Sequence, residues 1–284
     1  MIPAAFEYYR PTDIEGVLAL LLEHGDDARV MAGGHSLIPM MKLRMAEVPH
    51  LIDLQDVDAL KGIRVDGDRI TLGAMVTQHE LIESAELAEK APILREAALQ
   101  IADPQVRYMG TVGGNVANGD PGNDMPGLMQ CLDAEITLTG PDGTRTVAAR
   151  DYYEAAYMTD REDDEILVSV SFDAPKGGYA YEKQKRKIGD YATAAAAVQI
   201  VKEGGTVASA SIAMTNLSDT PVWSEAAGDA LVGTACDAEA VKAAVAAMLE
   251  DIDPTEDNRG PVAFKRHAAG IVLTRAITRA WDRA

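Results

Sequence analysis

The residue types best suited to chemistry lie in two glycine-rich segments. The first is Ala32-Gly33-Gly34-His35-Ser36, running on through Leu37, and the second is TVGGNVANGDPGND from Thr111 to Asp124. Glycine lets a backbone approach a ligand closely and adopt positive φ, so Gly33-Gly34 and Gly113-Gly114 can aim successive N–H groups at anionic oxygens. Ser36 and Thr111 add hydroxyl donors at the edges. The chemistry implied is a cradle for a diphosphate-bearing cofactor. Neither segment carries the G-x-G-x-x-G of a dinucleotide fold or the G-x-x-x-x-G-K-S/T of a P-loop. A single glycine pair reads as turn punctuation, whereas two pairs with matching polar neighbours read as a site.

The elements that must hold these segments follow from hydrophobic period and turn chemistry. Thr12 to Glu15 has the form of a capping box before the apolar run from Val17, and Gly25 stands where that helix must stop. A strand over 29–31 feeds the first glycine segment, and Ser36 is placed to cap a helix over 37–45. Residues 50–54 read as a strand, 62–75 as a hairpin turning at Asp66-Gly67, and 78–84 and 91–101 as helices. Beyond the second segment come a short helix over 126–133, a hairpin around Asp142-Gly143 and a strand over 165–172. The turn-forming cluster from Ala174 to Gly178 marks a domain boundary. After it come a strand over 179–185, a hairpin over 193–214 turning at Gly204-Gly205, and helices over 224–233, 238–251 and 262–281. The expected class is α+β, with helices segregated behind an antiparallel sheet in the second domain.

Composition narrows the partners. The chain has 284 residues and a formal net charge of −19, which argues against nucleic acid and against an anionic membrane surface. An anionic cofactor must then be held by oriented backbone dipoles at a local site. Cys131 and Cys236 cannot build a disulfide scaffold or ligate an iron–sulfur cluster. The five histidines, His24, His35, His50, His79 and His267, are scattered singly, so no metal site is expected. The amino-terminal run lacks a signal-peptide pattern and no stretch approaches the ~18 apolar residues of a membrane span, so a cytoplasmic protein is expected. Lys183 and Lys185, in the one dense basic run, read as a solvated strand face. Met40, Met41, Met45, Met125 and Met129 read as core or interface filler, Cys131 as an inert buried thiol, and Asp120 as an Asx-turn residue.

The two glycine motifs, the order of elements and the run KIGDYA at 187–192 resemble the flavin-binding medium subunits of molybdenum hydroxylases over essentially the whole chain. Within that family the run ANGDPGNDMP is most similar to the aerobic carbon monoxide dehydrogenase branch. The resemblance implies a two-lobed FAD-binding domain of the vanillyl-alcohol-oxidase/PCMH type over 1–176 and a smaller α+β domain over 177–284. It implies that Ala32, Gly33, Gly34, His35 and Ser36 wrap the FAD pyrophosphate, with Leu37 also binding the cofactor and Thr111, Gly113, Gly114 and Asn115 closing from the other lobe. Asn118 and Asp124 would accept from ribityl or ribose hydroxyls. Ile166 and Leu167 would cover the adenine, and Lys187 and Tyr191 would stand near the isoalloxazine. A cation there favours the anionic reduced flavin, which makes Lys187 a candidate for tuning its potential.

The function so implied is electron transfer through non-covalent FAD, with no catalytic residue and no metal in this chain. Molybdenum with its pterin would lie on a large subunit and 2Fe-2S clusters on a small one, and electrons would leave to an external acceptor such as a quinone. A dimer of heterotrimers and peripheral contact with the inner face of the cell membrane are further implications. Three rivals stand beside this reading. One is a self-sufficient flavin oxidase or dehydrogenase of the same superfamily, in some members of which a histidine placed like His35 is bonded to the flavin. The chain beyond residue 172 is short for the substrate domain of such an enzyme. The others are the medium subunit of a xanthine-, aldehyde- or nicotinate-type hydroxylase, and a scaffold with degenerate motifs.

Overall fold

The chain opens on a three-stranded parallel sheet in which His50–Asp53 lies between Glu7–Tyr9 and Ala28–Met31. The computed structural model describes residues 2–284, so Met1 of the expected first domain lies outside it. The helix Ile14–His24 joins the two outer strands and buries Val17 and Leu21 against Ala28, Ile52 and Leu54. Asp13, not Thr12, caps this helix. Its carboxylate accepts from the Gly16 N–H at 2.7 Å, which leaves Glu15 one position short of the place a capping box requires. A complete capping box does form at Thr77 and Glu80, ahead of the helix Gln78–Glu83.

A five-stranded antiparallel sheet follows, in the order Ile63–Asp66, Arg69–Gly73, Ile166–Asp173, Glu135–Gly140, Gly143–Ala148. Its buried face, with Ile70, Leu72, Ile136, Leu138, Val170 and Phe172, packs against short helices that contribute Leu81, Ile93, Leu94, Val112, Val116 and Leu128. Three local expectations are revised here. The helix over 37–45 ends at Lys42, and Ser36 at its start makes no side-chain capping bond. The helix over 91–101 is Pro92–Ala98, and a separate one, Pro104–Met109, is too short for its period to show in the sequence. The second glycine pair is the first turn of a helix, Val112–Ala117.

The remaining chain forms a four-stranded antiparallel sheet, Gly178–Gln184, Ala194–Glu203, Thr206–Thr215 and Val222–Trp223, with the helices Glu225–Asp229, Ala238–Asp251 and Val262–Arg283. Both faces of this sheet are covered. Ala194, Ala196, Val198 and Ile200 pack against the sheet's own helices, while Ala195, Ala197 and Tyr181 join the core of the first domain. That double burial accounts for the alanine run, because the helix Asp124–Cys131 approaches so closely that a Cβ on Gly127 would lie 2.3 Å from Thr215 Oγ1. Larger side chains would force the layers apart. Among the described residues no helix is long and apolar enough to cross a membrane.

Cys131 lies in this seam, 1% exposed, and its Sγ donates to the Ser211 carbonyl at 3.4 Å. Burial pushes its thiol up to about 12. At neutral pH the native chain is expected to leave Cys131 unalkylated by iodoacetamide and to expose it on unfolding, as peptide mass mapping would read. Labelling of Cys131 at the rate of a free thiol in the native state would contradict the seam.

Candidate functional site

A cavity of about 500 Å³ opens where the two lobes of the first domain meet each other and the second domain. That volume lies within the ~300–1,000 Å³ of ligand clefts. The first lobe contributes residues 32–37, the second contributes Thr111, Gly113, Gly114, Asn115, Asn118, Asp124, Ile166 and Leu167, and the carboxy-terminal domain contributes Lys183 and the stretch from Gly189 to Tyr191. Every predicted site residue lines this cavity except Lys187, which is exposed on the loop outside it.

The two glycine pairs do different things. Gly34 has φ +72, the left-handed conformation that glycine adopts at no steric cost. Gly33 is pressed against the second lobe, where a Cβ would fall 2.1 Å from the Met109 carbonyl oxygen. Gly113 is held in the same way, since its Cβ would meet Ala74 at 2.6–2.7 Å. The first requirement on Gly33 and Gly113 is therefore close packing of backbone on backbone.

A count of backbone donors separates the segments further. The Val112 N–H donates to Val76 O at 2.8 Å, Gly113 to Ala74 O at 2.9 Å, Gly114 to Thr111 Oγ1 at 3.0 Å and Asn115 to Thr111 O at 3.1 Å. The expectation that the N–H groups of Gly113-Gly114 point at anionic oxygens is thus corrected, because the fold itself uses them. By contrast, the N–H groups of Gly33, Gly34, His35 and Ser36 have no protein acceptor among the described residues. Gly33 and Gly34 are half-buried and His35 and Ser36 are exposed, so these four consecutive N–H groups beside the cavity stay available to an anionic ligand, as those of Gly113 and Gly114 do not. Asn115 also turns partly inward, its Oδ1 accepting from the Met125 N–H at 3.2 Å. Asp120 makes the Asx turn read from sequence, accepting from the Gly122 N–H at 2.9 Å.

Asp124 is 4% exposed, and both of its oxygens are claimed. Oδ1 accepts from the Tyr181 hydroxyl, and Oδ2 accepts from Lys183 Nζ at 2.7 Å. The Lys183 side chain is 1% exposed, so the reading of Lys183 as part of a solvated face is wrong. Tyr179, Tyr181 and Lys183 alternate along one strand, and the period of two places Lys183 on the same side as the buried Tyr181. That signal was present in the sequence. Burial and the Asp124 charge push the Tyr181 phenol well above its ordinary range, so it stays a neutral donor. Lys185 is also partly withdrawn, donating to Gln100 Oε1 at 3.0 Å, and burial followed by the Lys183 charge lowers its pKa.

Tyr191 and Asp190 form the cavity wall on the second-domain side. Arg186 Nε lies 3.0 Å from Asp190 Oδ2, with Arg259 3.8 Å from Oδ1. Burial and the Asp120 carboxylate push the Tyr191 phenol up to about 12. Basic side chains near the cavity that the motifs did not reveal include Arg29 and Arg161, and a further missed polar residue is Gln78. Gln78 is 1% exposed and neither its Nε2 nor its Oε1 has a partner. A buried polar group left unpaired costs about 1–3 kcal/mol.

Comparison with known proteins extends this picture across the chain. A family model described as the FAD binding domain in molybdopterin dehydrogenase matches residues 4–175, and one described as the CO dehydrogenase flavoprotein C-terminal domain matches residues 179–280. The carbon monoxide dehydrogenase medium chain of Afipia carboxidovorans is 56% identical over 286 residues, covering 100% of this chain and 99% of that one. The medium chain from Hydrogenophaga pseudoflava is 45% identical with the same coverage. A chain of the reconstituted CO dehydrogenase from Oligotropha carboxidovorans superposes with a TM-score of 0.98 at 56% identity, covering 100% of both chains.

Proposed function

Because the chain belongs to the FAD-binding flavoprotein subunits of the molybdopterin dehydrogenases, we propose that it is the medium chain of an aerobic carbon monoxide dehydrogenase. Its role there is to hold FAD and pass electrons from 2Fe-2S clusters to an external acceptor. The carrying observation is the row of four N–H groups without a protein acceptor at residues 33–36, in residues that line a cavity of ligand size in a chain that matches such medium chains end to end. FAD, when bound, supplies the chemistry that lets one-electron donors feed a two-electron acceptor.

The residues of the chain divide the work of holding it. The N–H groups of Gly33, Gly34, His35 and Ser36 take the pyrophosphate oxygens, a fit that needs no side-chain cation in a chain of net charge −19. Ala32 and Leu37 flank that turn. Thr111, Gly113, Gly114 and Asn115 form the opposing wall and give it rigidity. Asn118 offers its side chain to the hydroxyl-bearing part of the cofactor, and Ile166 and Leu167 give an apolar wall for the adenine. Tyr191 borders the ring system. Lys183 takes the tuning role first read into Lys187. Its ammonium is fixed inside the cavity by Asp124, while the Lys187 charge is exposed and screened by solvent.

His35 lies in the turn without a covalent bond to the cofactor in this reading. Acid precipitation should leave the flavin in the supernatant, and a yellow pellet would instead favour the self-sufficient oxidase. The partners are a large subunit with molybdenum and its pterin and a small subunit with 2Fe-2S clusters, since two cysteines cannot ligate a cluster here. The acceptor is a quinone, the complex is a dimer of heterotrimers, and it meets the inner face of the cell membrane peripherally. Purification with the partner subunits, followed by flavin and metal analysis and an assay of carbon monoxide-dependent dye reduction, tests the proposal. A flavin- and molybdenum-loaded complex that ignores carbon monoxide but oxidises a purine, aldehyde or nicotinate would overturn the substrate assignment.

A further inference from the structure

Among the described residues that line the cavity, Gln78 is the one whose buried polar atoms the fold leaves without a partner. Its position is rigidly set. It is the first residue of the helix Gln78–Glu83, behind the Thr77 cap, and its own N–H donates to the Gly110 carbonyl at 2.9 Å. Thr77 pairs with Thr111 in an isolated bridge, so Gln78 is tied to the start of the second glycine segment. The first segment reaches the same place, since Gly33 packs on Met109 and Gly110. Gln78 therefore sits where the two lobes meet beneath the cofactor cavity.

The surroundings of this residue favour a hydrocarbon. Leu81, one turn along the helix, is fully buried, and this helix packs on Pro92–Ala98, whose Ala97 and Ala98 are fully buried as well. A leucine or methionine would fill the volume with no polar group to satisfy. A carboxamide at this point has one use that a hydrocarbon lacks, which is to donate and accept at once. We propose that Gln78 is a cofactor-positioning residue whose carboxamide, on a change of side-chain rotamer, hydrogen-bonds to the hydroxyl-bearing chain of FAD next to the pyrophosphate. Being neutral, it recognises hydroxyls beside the phosphate charge without competing with the N–H groups of residues 33–36. The inference rests on the FAD reading of the cavity.

The test is the full chain with Gln78→Met, read by FAD titration and by thermal unfolding of the flavin-stripped protein. The expected result is a dissociation constant for FAD raised about tenfold, equivalent to about 1.4 kcal/mol, with a melting temperature of the stripped protein equal to or above that of the unsubstituted chain. Gln78→Leu is the second variant, and it should show the same pair of changes. An unchanged dissociation constant in both variants, with the stripped protein stabilised, would mean that the amide is only an unsatisfied core group and would overturn the proposal. An unsubstituted chain that binds no FAD would overturn the cofactor reading of the whole cavity, an outcome distinct from the first.

Discussion

Replacement of Lys183 by methionine should destabilise the chain by about 3–5 kcal/mol, the cost of removing one partner from a buried ion pair and leaving the other charged and unmatched. The prediction is large because both members are shielded, with side-chain exposures of 1% for Lys183 and 6% for Asp124. The Tyr181 hydroxyl alone remains as a donor to Asp124, and a neutral donor cannot offset a full charge in a medium of low polarity. Lys183 and Tyr181 belong to the second domain and Asp124 to the first, so the lost pair also loosens the seam between them. The double substitution Lys183→Met with Asp124→Leu should recover much of the loss, because a matched apolar pair leaves no orphaned charge. Denaturant unfolding of the two single variants and the double variant gives the coupling. A Lys183→Met midpoint equal to that of the unsubstituted chain would show that the pair is not shielded as described.

Gly33→Val should remove FAD binding while leaving the carboxy-terminal domain folded. The substituted Cβ would lie 2.1 Å from the Met109 carbonyl oxygen and 2.8 Å from its carbon, both backbone atoms with no freedom to turn aside. The first lobe must then separate from the second, and the four N–H groups at 33–36 move out of register with the opposite wall. A loss of more than 100-fold in affinity is expected on the order of the several hydrogen bonds given up together. The core formed by Ala196, Val198, Ile200, Val272 and Leu273 lies away from that contact, so its cooperative unfolding should persist. Visible flavin absorbance after reconstitution, read beside calorimetry, checks both halves. Stoichiometric flavin in the variant would refute the packing argument.

The elements of the fold were legible wherever a period was long enough to register. The helix over 238–251 and the hairpins at Asp66-Gly67 and Gly204-Gly205 follow from apolar spacing and turn residues alone. The helices Pro104–Met109 and Val112–Ala117 do not, because six residues span less than two turns, and in the second Gly113 and Gly114 further suppress the helical signal. The capping error at Thr12 has a similar origin. Thr12 and Asp13 are both good caps, and only the observed backbone at Asp13 decides which side chain reaches Gly16.

The sequence by itself determined which segments come together, since 15 of the predicted residues line one cavity and Lys187 alone stands outside. It determined this because glycine pairs, turn residues and a family motif are local features, written in consecutive positions. Which atoms are free to act was decided only by the tertiary structure. The N–H groups of Gly113 and Gly114 are occupied by Ala74 and Thr111, those of residues 33–36 are not, and the sequence of the two glycine pairs is too alike to show it. The same holds for Lys183 against Lys187. Both are lysines in one basic run, and the pairing of Asp124 with one of them arises from a contact between residues 59 positions apart. Hydrogen-bond accounting and charge burial depend on what the folded chain brings near each group, and that is a property of packing between domains.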